Sequence, residues 1–149
     1  MTSVAIRPMV EADWDGWKPL WDGYLNFYRE HLDDETTRFN FARLCRREDG
    51  MFGFVADSGS ELCGIVHALL HPSTWTTGLY CYLEDLFVTP VSRGGHIGRE
   101  LIEAVRNEAS ARGAALVYWQ TQEFNGPARS LYDQVAKLTS RRVYEVYDN

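Results

Sequence analysis

Between Tyr82 and Ile102 an apolar strand pattern, Tyr82-Leu83-Glu84-Asp85-Leu86-Phe87-Val88, runs into a basic, glycine-rich turn and then into a helix. The turn reads Arg93-Gly94-Gly95-His96-Ile97-Gly98-Arg99. These residue types in this order suit the grip of a pyrophosphate. Glycines let the backbone turn tightly with its N–H groups outward. The helix after the turn adds unpaired N–H donors and the positive end of its dipole, and Arg93 sets a fixed cation beside them.

The elements that position this turn are drawn from 149 residues, 45% of them hydrophobic. That length fits one globular domain, residues 1–149, with a single core burying roughly two-thirds of the unfolded surface. Met1 to Pro8 lacks the apolar stretch of a secretory signal, and no segment approaches the ~20 apolar residues of a membrane span. A soluble cytoplasmic protein with no membrane partner is expected. Cys45, Cys63 and Cys81 form no close-spaced pair with nearby histidines, so they read as buried thiols, with no metal site and no disulfide framework. A net charge of −6 argues against a nucleic-acid partner and suits a cationic small molecule or peptide.

Val4 to Arg7 is a short strand that Pro8 ends. From Glu11 a helix carries Trp14, Trp17, Trp21, Tyr24 and Tyr28 on one face, with Pro19 as an expected interruption. This aromatic stripe is read as core packing, the alternative being one wall of a pocket for an apolar or cationic group. Asp33 or Asp34 caps a second helix from Glu35 to about Arg47. Met51 to Ala56 and Leu62 to Leu70 form a hairpin around Asp57-Ser58-Gly59-Ser60, and a long strand runs from Leu79 to Val88. His67 and His71 lie four apart on a strand and its exit, a spacing that does not favour metal ligation. After the turn, Ile97, Leu101, Ile102, Val105 and Ala109 mark a helix that stops at Arg112-Gly113. Ala115 to Trp119 then lies parallel to Leu79 to Val88 through a right-handed crossover. Asn125-Gly126-Pro127 opens a helix bearing Leu131, Tyr132 and Val135, and Val143 to Val146 makes a last strand.

On these residues the chain resembles the GCN5-related N-acetyltransferase family. The resemblance implies an α/β fold, a mixed sheet of six or seven strands flanked by about four helices, with the fourth and fifth strands splayed. The family's turn is Arg or Gln, two free positions, Gly, one free position, then Gly or Ala. Arg93 and Gly98 occupy its ends, and His96 stands where the family has Gly. If that position needs positive φ, histidine tolerates it at a cost of about 1 kcal/mol or more. Tyr82 to Val88 is similar to a strand of the diamine and polyamine acetyltransferases and of the yeast histone and polyamine acetyltransferase group. Asn125 followed by Tyr132 is similar to the family's Asn and helix Tyr beside the pantetheine arm and the thiol. The matching segments, Tyr82 to Trp119 and Asn125 to Tyr132, cover about a third of the chain.

The resemblance also implies acetyl-CoA as co-substrate, without a metal. Its pyrophosphate would lie on Arg93, Gly94, Gly95, His96, Ile97, Gly98 and Arg99, and its pantetheine and thioester carbonyl beside the backbone of Phe87 and Val88. Asn125 would hold the cofactor, cap its helix, or both. An amine would attack directly in a ternary complex, with Tyr132 protonating the departing thiolate and Glu84, in preference to Asp85, accepting the amine proton. Strand alternation would let only one of those two acids face the cleft, unless a bulge intervenes. The expected acceptor is a small cationic amine such as a polyamine, diamine or amino acid. A protein or peptide lysine is the alternative acceptor, and a non-catalytic acyl-CoA sensor the alternative function. The last strand offers a possible homodimer contact.

Overall fold

The computed structural model describes residues 3–122 and 125–148. Its sheet is built from β1 (Ala5–Pro8), β2 (Met51–Asp57), β3 (Leu62–Pro72), β4 (Leu79–Val88) and β5 (Ala114–Tyr118), in that spatial order. The first four strands are antiparallel neighbours, and β5 runs parallel to β4. A parallel neighbour needs a crossover, which the helix Ile97–Ala111 supplies. The other helices are α1 (Trp14–Phe27), α2 (Asp34–Arg46) and α4 (Gly126–Val135), so the crossover helix is α3.

Two apolar layers hold the sheet. Leu101, Ile102 and Val105 of α3 pack with Phe52, Val66, Cys81 and Leu83 on one face. Trp17 and Leu20 of α1 and Phe41 and Leu44 of α2 pack with Val55 and Ile65 on the other. Pro19 lies inside α1 without ending it. The Asp33 carboxylate accepts from the Thr36 N–H at 2.7 Å, the cap expected of α2. All three cysteines are free, and burial pushes the Cys45 and Cys81 thiols up to about 11, which leaves them unreactive at neutral pH.

Two departures from a regular sheet shape the cleft. Leu83 pairs with Ala68 and Asp85 with His67, so one step along β3 spans two along β4, and Glu84 forms a bulge. Pairing between β4 and β5 ends at Tyr82 and Tyr118, so β4 continues from Leu83 to Val88 beyond its parallel neighbour. That is the splay the resemblance implied.

The strand count differs from expectation. Among the described residues the sheet has five strands, and Val143 to Val146 is not one of them. The pattern is strand-like, yet Val143 is 60% and Val146 98% exposed. A strand needs both a ladder partner and a face to bury, and the chain's own body supplies neither to this segment.

α1 can lie close to β4 because Gly23 faces Phe87, where an added Cβ would come within 2.8 Å of the ring. Gly23→Ala is therefore expected to overpack this contact and cost about 1–3 kcal/mol, measured by thermal denaturation.

Candidate active site

The bulge gathers both acids on one side of the sheet. Leu83 is buried in the α3-side core, so its neighbour Glu84 turns toward α1. Asp85 is also on the α1 side, where its Oδ2 lies 2.9 Å from Nδ1 of His67. The His67 Nε2 in turn accepts from the Trp17 indole N–H at 2.9 Å. The Tyr24 hydroxyl lies beside this pair, and burial together with the Asp85 charge raises its pKa. The His67 and Asp85 side chains are 4% and 13% exposed, so both sit at the buried end of the cluster.

Glu84 is different in kind. As a residue it is exposed, but its carboxyl end is crowded by the site, and desolvation with the Asp85 charge raises its pKa. Asp85 is held by the His67 ring, whereas the raised pKa falls on Glu84. Sequence reasoning singled out Glu84 but did not find His67, Tyr24 or Trp17 as its companions. The aromatic stripe was the available signal, and it serves both readings: Trp17 is core, while Trp21, Tyr24 and Tyr28 are half-buried and line the cluster.

The stripe also joins the acids to the residues expected at the cofactor. Tyr24 and Tyr28 have ring centroids 4.9 Å apart. The Tyr28 hydroxyl accepts from Asn125 Nδ2 at 3.4 Å. Asn125 is buried and is the N-cap residue of α4, yet its side chain makes no capping bond. Tyr132 stands edge-on to Trp119, with centroids 5.4 Å apart. Burial, with the neighbouring Tyr28, pushes the Tyr132 hydroxyl up to about 12, so it carries its proton at neutral pH. The structure thus sets Glu84 and Asp85 beside the aromatic face and joins Asn125 to its Tyr28 end, while Tyr132 packs on Trp119.

The turn takes the conformation its residues suggested. Gly94 has φ 87° and His96 has φ 69°, so histidine adopts the left-handed geometry that glycine would take without strain. His96 makes no capping hydrogen bond to α3, which leaves the first-turn N–H groups to a ligand or water. Gly98 has another duty: an added Cβ would lie 3.1 Å from Leu131 Cδ2, so it admits the close approach of α3 and α4. Arg93 folds back, its Nε donating to the Val88 carbonyl at 3.0 Å and its guanidinium 5.5 Å from the centre of the Phe87 ring. Arg99 reaches Gln134 Oε1 at 2.6 Å. Turn, splayed β4 edge and Asn125 together fit a ligand made of a pyrophosphate and an amide-bearing arm. Among the described residues no group of three His, Cys, Asp or Glu side chains is arranged to hold a metal.

Residues 11–136 match the Acetyltransferase (GNAT) family, and the chain belongs to it. The D-amino-acid N-acetyltransferase HPA3 of Saccharomyces cerevisiae is 30% identical over 145 residues, 95% of this chain and 89% of its own length. The thialysine N-epsilon-acetyltransferase of Caenorhabditis elegans is 32% identical over 83 residues, 56% of this chain and 51% of its own. Among solved structures, AAC(6')-Iy in complex with the bisubstrate analogue CoA-S-monomethyl-acetylneamine shares the fold, with a TM-score of 0.84 and 17% identity over 99% of both chains. The chain is an acetyl-CoA-dependent N-acetyltransferase acting on an amine.

The raised Glu84 pKa has a consequence for stability. A carboxyl whose pKa is higher in the folded state favours folding when protonated, and that contribution is lost as pH rises through the folded value. Glu84→Gln removes the charge that the site disfavours at neutral pH. Its melting temperature is expected to exceed that of the unsubstituted protein at pH 7, and the gap to close as pH falls toward the usual glutamate value of about 4.3.

Proposed function

We propose that residues 1–149 act as one catalytic domain that acetylates a small cationic amine, of the polyamine, diamine or amino-acid kind, by direct attack in a ternary complex. The observation that carries this reading is the pair of carboxyls on one face, beside the half-buried Trp21, Tyr24 and Tyr28. A carboxylate and aromatic rings together attract an ammonium group, the rings through their faces and the acid through its charge. The name of the yeast relative supports the amino-acid end of this class.

When bound, acetyl-CoA supplies an activated carbonyl, whose carbon bonds to the amine nitrogen as its bond to sulfur breaks. The turn 93–98 offers main-chain N–H groups and a helix N-terminus to the pyrophosphate. Asp85 binds the acceptor's ammonium and orients it. Glu84 accepts a proton from nitrogen, directly or through one water, which its raised pKa favours. Tyr132 gives its proton to the departing sulfur and is reprotonated from the nitrogen side through the Tyr28 region. Nitrogen thus loses two protons, one ending on sulfur and one leaving through Glu84.

We also place the protein in the cytoplasm as a homodimer. Three free thiols suit a reducing compartment, and among the described residues no helix is long and apolar enough to cross a membrane. The segment after α4 leaves Leu138, Val143, Tyr144, Val146 and Tyr147 exposed, while β5 presents Leu116 and Tyr118 at the sheet edge. Each is the kind of surface that the other, in a second copy, would cover.

Three measurements test these readings. Thiol release from acetyl-CoA with a panel of diamines, D- and L-amino acids and lysine peptides is expected to be fastest with a small amine, and a preference for peptides would overturn the acceptor class. Tyr132→Phe is expected to lower kcat about ten-fold or more while leaving acetyl-CoA affinity nearly intact, and unchanged turnover would remove Tyr132 as the acid. Deleting residues 137–149 is expected to convert a dimer into a monomer in sedimentation, whereas an unchanged sedimentation coefficient per chain mass would exclude the segment from the contact.

A further inference from the structure

Trp17 has one polar atom, an indole N–H that can only donate. The residue is 2% exposed, so water does not serve as its partner, and its donor points at His67 Nε2 at 2.9 Å. That nitrogen must therefore present its lone pair. The ring proton is then on Nδ1, 2.9 Å from Asp85 Oδ2, and His67 donates to the carboxylate. The opposite tautomer would set N–H against N–H at Trp17 and a lone pair against the carboxylate at Asp85. Both contacts would become repulsive, so the geometry admits one tautomer.

The indole is itself held from several sides. Its ring centroid lies 5.6 Å from that of Trp14, 5.7 Å from Trp21 in a stacked pair, and 4.8 Å from Phe41. His67 is the β3 residue opposite Asp85, so strand pairing brings the imidazole to the acid. The His67 ring thus restrains one oxygen of the Asp85 carboxylate, with Tyr24 beside it, and the remaining lone pairs are left for a ligand. A buried histidine and acid of this kind would be replaced at little cost to folding by a well-packed apolar pair. What the polar pair adds is a carboxylate in one orientation at the buried end of the site.

We propose that His67 is a positioning residue for acetyl transfer: its tautomer set by Trp17 on one side and Asp85 on the other, it aims the Asp85 carboxylate at the ammonium group of the acceptor. This rests on the small-amine acceptor, but the tautomer is a property of the protein alone. His67 acts through Asp85, to which it is hydrogen bonded.

The test has a spectroscopic and a kinetic arm. Two-bond proton–nitrogen spectra of the unliganded protein, with His67 assigned by its loss in His67→Phe, are expected to show that ring with its proton on Nδ1 alone. In Trp17→Phe alone the Asp85 carboxylate still holds that proton, whereas in Trp17→Phe combined with Asp85→Asn, whose amide can donate or accept, the ring is expected to become a mixture of tautomers. A proton on Nε2 in the unsubstituted protein, or no change in the double variant, would overturn the proposal. In kinetics, His67→Phe preserves ring volume and loses both hydrogen bonds, and kcat/KM for the amine is expected to fall about ten-fold or more with KM for acetyl-CoA unchanged. Made in an Asp85→Asn background, it is expected to cost little beyond Asp85→Asn alone, because both changes remove one function. Additive losses, or equal damage to acetyl-CoA and amine parameters, would show a general packing role instead and overturn the assignment. If His67→Phe fails to fold, His67→Gln carries the same comparison. Absence of turnover with every amine would remove the acceptor reading, and calorimetric amine binding with and without His67→Phe would then decide whether Asp85 is aimed at a cation at all.

Discussion

Between His67 and Ala68, β3 advances one residue while β4 advances two, and the geometry of the site depends on that mismatch. In a regular strand Glu84 and Asp85 would face opposite sides. With the bulge, Leu83 stays in the α3-side core while Glu84 and Asp85 are both delivered to the α1 side. Two like charges so close repel, and the site answers with asymmetry. Asp85 accepts from the His67 ring, whereas Glu84 has its pKa raised. One acid is thereby tied to a neighbouring ring, and the other bears the cost of desolvation.

α1 provides the opposing wall. Its aromatic rings succeed one another along the helix, Trp17 on Trp21 and Trp21 on Tyr24 in stacked pairs, then Tyr24 on Tyr28. A single helical face thus reaches from the buried indole that orients His67 to the hydroxyl that meets Asn125. Because these rings have few rotatable bonds, they can hold the polar atoms between them at little entropic cost. Gly23 completes the arrangement by letting this helix approach Phe87 of β4.

The glycine turn obeys a separate constraint. His96 accepts a left-handed backbone at a cost of about 1–3 kcal/mol, and the packing of α3 and α4 around Gly98 and Leu131 holds the chain there. Backbone strain of this kind persists where surrounding contacts over-determine it. Arg93 is turned back onto Val88 and Phe87, so it stiffens the corner where β4 leaves the sheet. The acidic overall charge of −6 is therefore compatible with binding a polyanion, because main-chain dipoles, not net charge, make the local field.

Much of this architecture was legible from residue order. The strand, glycine turn and helix around Arg93 to Gly98, the crossover to β5, the Asp33 cap and the placement of Asn125 and Tyr132 on one helix come from periodicity, caps and turn residues, which act over a few positions. The expected last strand at Val143 to Val146 shows the limit of that reasoning, since alternation describes a strand's faces but not whether an edge is there to receive it. The bulge at Glu84 and the line from Trp17 through His67 to Asp85 were settled only in three dimensions. Trp17 and His67 lie 50 positions apart, and a hydrogen bond between them exists because a helix and a strand pack at one spacing. Local sequence thus determined which chemical groups the protein owns, and tertiary packing decided which of them share a proton, because register and burial are set by contacts between distant segments.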